Sequence, residues 1–61
     1  MSIKCYIIEN SAKCAVAIHK LEEAIPCFTS LNLLDDDSIE FTISCRIEDI
    51  PVVEYFLAKF V

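Results

Sequence analysis

A stretch in which apolar and polar residues alternate without a break, Ile39–Ile47, constrains the fold of this chain more than any other feature. Successive side chains of a β-strand point to opposite faces of a sheet, so a period of two residues predicts a half-buried strand. The apolar set, expected to face the core, comprises Ile39, Phe41, Ile43, Cys45 and Ile47. The polar set comprises Glu40, Thr42, Ser44 and Arg46, and it predicts that one face of the sheet is open to water.

Two amphipathic helices accompany this strand. The first is predicted over about Ala12–Ile25, because Asn10 or Ser11 can cap its first amides and Pro26 prevents its continuation. The second is predicted over about Pro51–Phe60, since proline suits the first turn of a helix. Their apolar stripes, expected to pack on the sheet, are Cys14, Ile18, Leu21 and Ile25 in the first helix and Val53, Phe56, Leu57 and Phe60 in the second.

Two more strands are predicted, over Ile3–Ile8 and Cys27–Leu34, because these segments are rich in residues that favour strands. Three consecutive aspartates in Leu34–Ser38 indicate a turn before the alternating strand. In the first strand one face is fully apolar and the other is mixed. The residues expected in the core are Ile3, Cys5 and Ile7, which leaves Lys4, Tyr6 and Ile8 on the open face beside Arg46.

The element order β-α-β-β-α predicts one α+β domain over residues 1–61. A right-handed crossover puts both helices on one face of a three-stranded sheet with strand order 1-3-2, a ferredoxin-like arrangement lacking its last strand. The strand Ile3–Ile8 then has a free edge, and a homodimer through this strand or through the open face is expected. In topology and charge the layout resembles small acidic SOS-response modulators of recombinase filaments, but no motif matches residue by residue, and a shared fold does not carry function across by itself.

Several classes of site are disfavoured by composition. The chain has no glycine, which phosphate-binding loops require where the backbone approaches the phosphates. Its cysteines, Cys5, Cys14, Cys27 and Cys45, lie 9, 13 and 18 residues apart, without the close pair typical of zinc sites. They are expected to be buried thiols. With no signal-like segment at the N-terminus, the expected location is the cytoplasm.

The net charge of −5 lies entirely after Leu34, where seven acids are accompanied only by Arg46 and Lys59. An acidic surface repels phosphate backbones, so direct nucleic-acid binding is disfavoured and a basic site on a larger protein is the natural target. The aspartate turn fits a calcium loop poorly, so no metal or other cofactor is expected. The residues expected to bind the partner are Asp35, Asp36, Asp37, Glu40, Glu48, Asp49, Glu54, Tyr6 and Arg46.

The expected function is that of a small, acidic, non-enzymatic regulator or inhibitor. Its partner would be a larger intracellular protein with a basic surface, such as a nucleic-acid-processing or defence enzyme or a toxin. One alternative is a dimeric small-molecule sensor of the half-ferredoxin type. Another is a catalytic thiol, Cys14 or Cys27, assisted by His19.

Overall fold

The computed structural model describes all residues from Met1 to Val61 and contains three strands and two helices. In chain order these are β1 (Ser2–Ile8), α1 (Ala12–Ala24), β2 (Cys27–Leu33), β3 (Ile39–Cys45) and α2 (Ile50–Leu57), with a 3-10 turn at Ile47–Asp49. The predicted order β-α-β-β-α and the α+β class are confirmed.

The sheet has the strand order β1-β3-β2, with β3 antiparallel to both neighbours, as predicted. Phe41 of β3 lies opposite Tyr6 of β1 and Leu31 of β2, which fixes the register across all three strands. Residues of both helices and Phe41, Ile43 and Cys45 of β3 form one buried cluster, so both helices cover the same face of the sheet. The opposite face carries no helix.

The first helix begins and ends where its flanking residues dictate. The Ser11 hydroxyl oxygen accepts a hydrogen bond from the Cys14 amide at 3.2 Å, which satisfies one of the unpaired amides of the first turn. Ile25 is already extended, as expected for a residue that precedes a proline. The buried side of α1 consists of Cys14, Ile18 and Leu21, with Ile25 buried just beyond its end.

The third strand is two residues shorter than its alternating pattern. It ends at Cys45, and Ile47, predicted in the core, is 76% exposed. The Arg46 guanidinium donates to the Asp49 carboxylate at 2.9 Å, and the Asp49 amide donates to the Arg46 carbonyl at 2.9 Å. These two bonds close a 3-10 turn that takes Ile47 out of the sheet and leads into α2 at Ile50.

The last helix is also shorter than predicted, ending at Leu57 instead of Phe60. The Phe60 amide donates to the Leu57 carbonyl at 2.9 Å, which makes a turn of the final residues. The Phe60 carbonyl in turn accepts from the Glu9 amide at 3.0 Å. The end of the chain is thus tied to the segment between β1 and α1.

The two faces of β1 are the reverse of those predicted. Tyr6 and Ile8 lie opposite Phe41 and Ile39, on the side covered by the helices, and Ile8 is fully buried. Ile3, Cys5 and Ile7, predicted in the core, lie on the open face instead. The prediction failed because one face of this strand is fully apolar and the other carries two large side chains, Tyr6 and Ile8, beside Lys4, so its own period does not set its phase. The pairing register with β3 does.

Candidate functional site

The open face is the surface of the sheet that no helix covers. Nine residues form it: Ile3, Cys5 and Ile7 of β1, Glu40, Thr42 and Ser44 of β3, and Phe28, Ser30 and Asn32 of β2. Phe28 and Ile3 are 75% and 71% exposed, and Ile7 is more than half exposed. Large apolar side chains gathered on one uncovered surface are typical of association sites.

The side chains of the open face lie in rows set by the strand register. Ser44 lies between Ile3 and Phe28, and Glu40 lies between Ile7 and Asn32. Since neighbouring strands are about 4.8 Å apart, Ile3 and Phe28 are about 10 Å apart across the sheet. A partner side chain of ordinary size can therefore rest on Ser44 and contact both apolar neighbours.

The acidic turn, Asp35–Asp37, joins β2 to β3 at the end of the open face nearest Ile7. All three aspartates are exposed. The Asp36 carboxylate accepts hydrogen bonds from the hydroxyl and the amide of Ser38, and these bonds lower the pKa of Asp36. Asp37 has a φ of 69° and accepts from the Asn10 amide group at 3.2 Å. The carboxylates of Asp36 and Asp37 are thus held in position by hydrogen bonds.

The remaining residues predicted to bind a partner do not join this cluster. Glu48 and Asp49 follow the far end of β3, about 20 Å from the acidic turn for a strand of this length. Asp49 is largely buried and bonded to Arg46, and Glu48 lies 3.4 Å from the same guanidinium. Arg46 and Asp49 therefore hold the turn before α2. Only Asp35–Asp37 and Glu40 lie together at one end of the sheet.

Tyr6 is on the helix side of the sheet, not on the open face as predicted. Its hydroxyl donates to the Glu54 carboxylate of α2 at 3.2 Å. Burial, and then the charge and hydrogen bond of Glu54, raise the pKa of Tyr6 to about 12. Tyr6 and Glu54 thus connect β1 to α2.

The Tyr6 phenol is expected to titrate with a pKa of about 12 in the folded chain. An unfolded phenol has a pKa of about 10, so the folded chain holds the proton more tightly. Its contribution to stability is complete below about pH 10 and is lost as the pH rises towards 12. Tyr55→Phe leaves Tyr6 as the sole tyrosine, whose ultraviolet phenolate absorbance reports the titration.

Adding Glu54→Gln to that variant is expected to lower the pKa of Tyr6, although burial, the first cause, keeps it above its ordinary value. An unchanged pKa would show that Glu54 has no part in the shift.

The four cysteines are all free thiols, but they do not share one environment. Cys14 and Cys45 are buried as expected, Cys27 is half-buried, and Cys5 is exposed on the open face, contrary to the prediction. Burial raises the pKa of Cys14 and of Cys27. Both remain protonated at neutral pH, which makes them poor nucleophiles.

His19 is exposed on α1, where it lies 3.5 Å from Glu23. Cys14 is five residues earlier and buried, so the two side chains point about 140° apart around the helix. This geometry does not favour a thiol and imidazole acting together. No three or more metal-ligating side chains are arranged to hold an ion. Neither helix is long and apolar enough to cross a membrane.

Both outer strands have a free edge, because β1 and β2 each pair only with β3. Edge strands usually carry charges that discourage further pairing, and β1 has Lys4. By contrast, Cys27–Leu33 contains no charged residue and no proline, and Leu31 and Leu33 are more than half exposed. The sequence-based prediction considered only the edge of β1. The signal for the β2 edge was the absence of any charge between Pro26 and Asp35.

Two surfaces therefore stand out, the open face with its adjoining acidic turn and the uncharged edge of β2. The first combines exposed apolar side chains with fixed negative charge, and the second offers unpaired backbone groups. Both are suited to contact with another polypeptide. Comparison of this chain with protein-family models, with curated proteins and with solved structures finds no match.

Proposed function

We propose that this chain is a small, acidic, non-enzymatic regulator that binds a larger intracellular protein through its open face and acidic turn. The observation that carries the proposal is the exposure of Ile3, Ile7 and Phe28 on a face without a covering element. The chain is otherwise normally compact. Its accessible surface of 4140 Å² is close to the about 4,000 Å² expected for a folded chain of 6.9 kDa.

The arrangement of the open face supports a protein partner. Interfaces between proteins commonly combine apolar contacts with hydrogen bonds. Here Ile3, Ile7 and Phe28 offer apolar contacts on the outer strands, and the half-buried Thr42 and Ser44 of β3 can exchange hydrogen bonds with a partner. Removing Phe28 and Ile3 from water would each contribute about 1 to 2 kcal/mol to binding.

Charge selects the kind of partner. The acidic turn and Glu40 place four carboxylates at one end of the open face. A partner with lysines or arginines beside an apolar patch would be attracted, while nucleic acid would be repelled. Nucleic-acid-processing enzymes, defence enzymes and toxins carry basic channels of this kind, so an inhibitory role at such a channel is the natural form of the proposal.

The size of the open face indicates that it does not bind the partner alone. Three strands of seven residues present a face about 20 Å long and about 14 Å wide, or roughly 300 Å². A stable interface buries about 800 Å² on each partner. The open face alone is too small, so a stable complex would include the acidic turn or a strand edge as well.

Reversing the acidic turn to lysines, D35K/D36K/D37K, is expected to slow association with the partner by about tenfold to a hundredfold at low salt. The partner is first captured from extracts of the native host with the wild-type chain and identified by mass spectrometry. Association and dissociation rates are then measured at several salt concentrations, and the difference between variants should shrink as salt rises.

A matched control reverses the three acids of the N-terminal half, E9K/E22K/E23K, which changes the net charge from −5 to +1, as the turn variant does. It should retain most of the wild-type association rate. If both variants slow association equally, only net charge matters. If neither does, the acidic turn has no role in docking.

A dimeric small-molecule-sensing module is the second candidate, favoured by the uncharged edge of β2. Two copies joined along this edge, or along β1 or the open face as first expected, would cover exposed apolar surface without another protein. Light scattering at high concentration tests this second candidate. A strict 6.9 kDa monomer counts against the dimer.

A further inference from the structure

A basic groove lies between the two helices, on the side of the chain remote from the open face. It has a volume of about 420 Å³. Its apolar lining residues include Val16 of α1, Tyr55 of α2 and Phe60, which follows α2. The lysines that line it are Lys13, Lys20 and Lys59.

The charge of the groove is opposite to that of the whole chain. Three of the five basic residues line it, although the net charge is −5. No acidic side chain is among the lining residues. The ion pairs of the chain involve only His19 and Arg46, so Lys13, Lys20 and Lys59 have no carboxylate partner.

Lysines often extend their apolar stems over neighbouring side chains while their ammonium groups remain in water, so a lysine beside a groove is ordinary. In a strongly acidic chain, however, three lysines without a carboxylate partner around one apolar groove are unusual. The three ammonium groups make the groove locally positive, so an anion placed among them would be attracted. The apolar lining at the same time offers a surface for hydrocarbon.

The dimensions of the groove limit the size of its occupant. Lys13, Val16, Ala17 and Lys20 recur at helical spacing on one side of α1, so they span about 10 Å, or two turns. That length is short for a docked peptide helix. The volume lies near the lower end of the range for small-molecule sites, about 300 to 1,000 Å³.

We propose that this groove binds a small amphipathic carboxylate, with its anionic group among the three lysines and its short acyl or aryl body against Val16, Tyr55 and Phe60. The site is separate from the open face and does not depend on the proposed protein partner. It is also contained within one chain, unlike a ligand site at a subunit junction.

Octanoate serves as the probe, titrated into the ¹⁵N-labelled chain and followed by ¹H–¹⁵N NMR. Saturable shifts are expected for amides near residues 13–20 and 55–60, and not for those of β2. Octanol, which lacks the charge, and acetate, which lacks the chain, should each bind at least tenfold more weakly. Equal binding of octanol, or the absence of saturable shifts with octanoate, would overturn the proposal.

The variant K13Q/K20Q/K59Q is expected to weaken octanoate binding at least tenfold, whereas K13R/K20R/K59R should retain it. Lys4→Glu is the control, because Lys4 also lacks an ion pair but lies outside the groove. It brings the net charge to −7, close to the −8 of the glutamine variant. Undiminished binding by the glutamine variant, or an equal loss with Lys4→Glu, would refute a local role for these lysines. The comparison with octanol in the wild-type chain holds even if a variant fails to fold.

Discussion

Replacing Phe41 by alanine is expected to remove most of the free energy of unfolding of this chain at 25 °C. Phe41 is 0% exposed at the centre of the middle strand, and it is among the largest fully buried side chains. Truncating a buried phenylalanine costs about 3 to 5 kcal/mol through lost transfer free energy and the cavity left behind. A domain of 61 residues has only about 3 to 9 kcal/mol in total. Circular dichroism and urea titration measure the loss.

Phe28→Ala is the matched control, since it removes the same atoms from the open face. Phe28 is mostly exposed, so the free energy of unfolding should fall by less than about 1 kcal/mol. A loss comparable with that of Phe41→Ala would mean that the open face is covered in solution, for example by a second copy. That loss would then depend on protein concentration.

The fold was predictable because several local signals agree with one another. The alternating residues of β3, the capping serine and the two prolines each fix one element, and the 1-3-2 order is the simplest one that fits the right-handed crossover. The ends of the elements were less predictable. The period of two continues to Ile47, but the bonds between Arg46 and Asp49 end the strand earlier.

The candidate site was predictable only in part. The acidic turn follows directly from three consecutive aspartates, and the structure places it as a turn beside the sheet. Glu48 and Asp49 are close to Glu40 in sequence, but an extended strand carries them to the opposite end of the sheet. The exposed Ile3 and Ile7 of the open face were missed because the phase of β1 depends on its pairing with β3.

No pattern along the sequence predicted the basic groove. Lys13 and Lys20 share one side of α1, but Lys59 comes almost 40 residues later, and only the packing of the C-terminal segment beside α1 brings it to them. Charge counted along the chain gave a neutral N-terminal half and an acidic C-terminal half. The folded chain instead has the acidic turn at one end of the sheet and the basic groove between its helices.

The double variant I3K/F28K is expected to weaken binding of the captured partner at least a hundredfold, about 2.7 kcal/mol, while the chain remains folded. Ile3 and Phe28 flank Ser44 in one row of the open face, so both would be covered by the same part of a partner. Substitution removes their apolar contacts and brings two ammonium groups against apolar surface, where an unpaired charge is costly. Equilibrium titration with the purified partner measures the change.

The control V16K/Y55K replaces one β-branched and one aromatic residue on the helix side, both more than half exposed, and gives the same net charge of −3. It should bind the partner within about threefold of wild type. Because both double variants add the same charge, a loss confined to I3K/F28K can arise only where Ile3 and Phe28 lie. Equal weakening by the two variants, or binding by I3K/F28K within threefold of wild type, would place the partner on another surface.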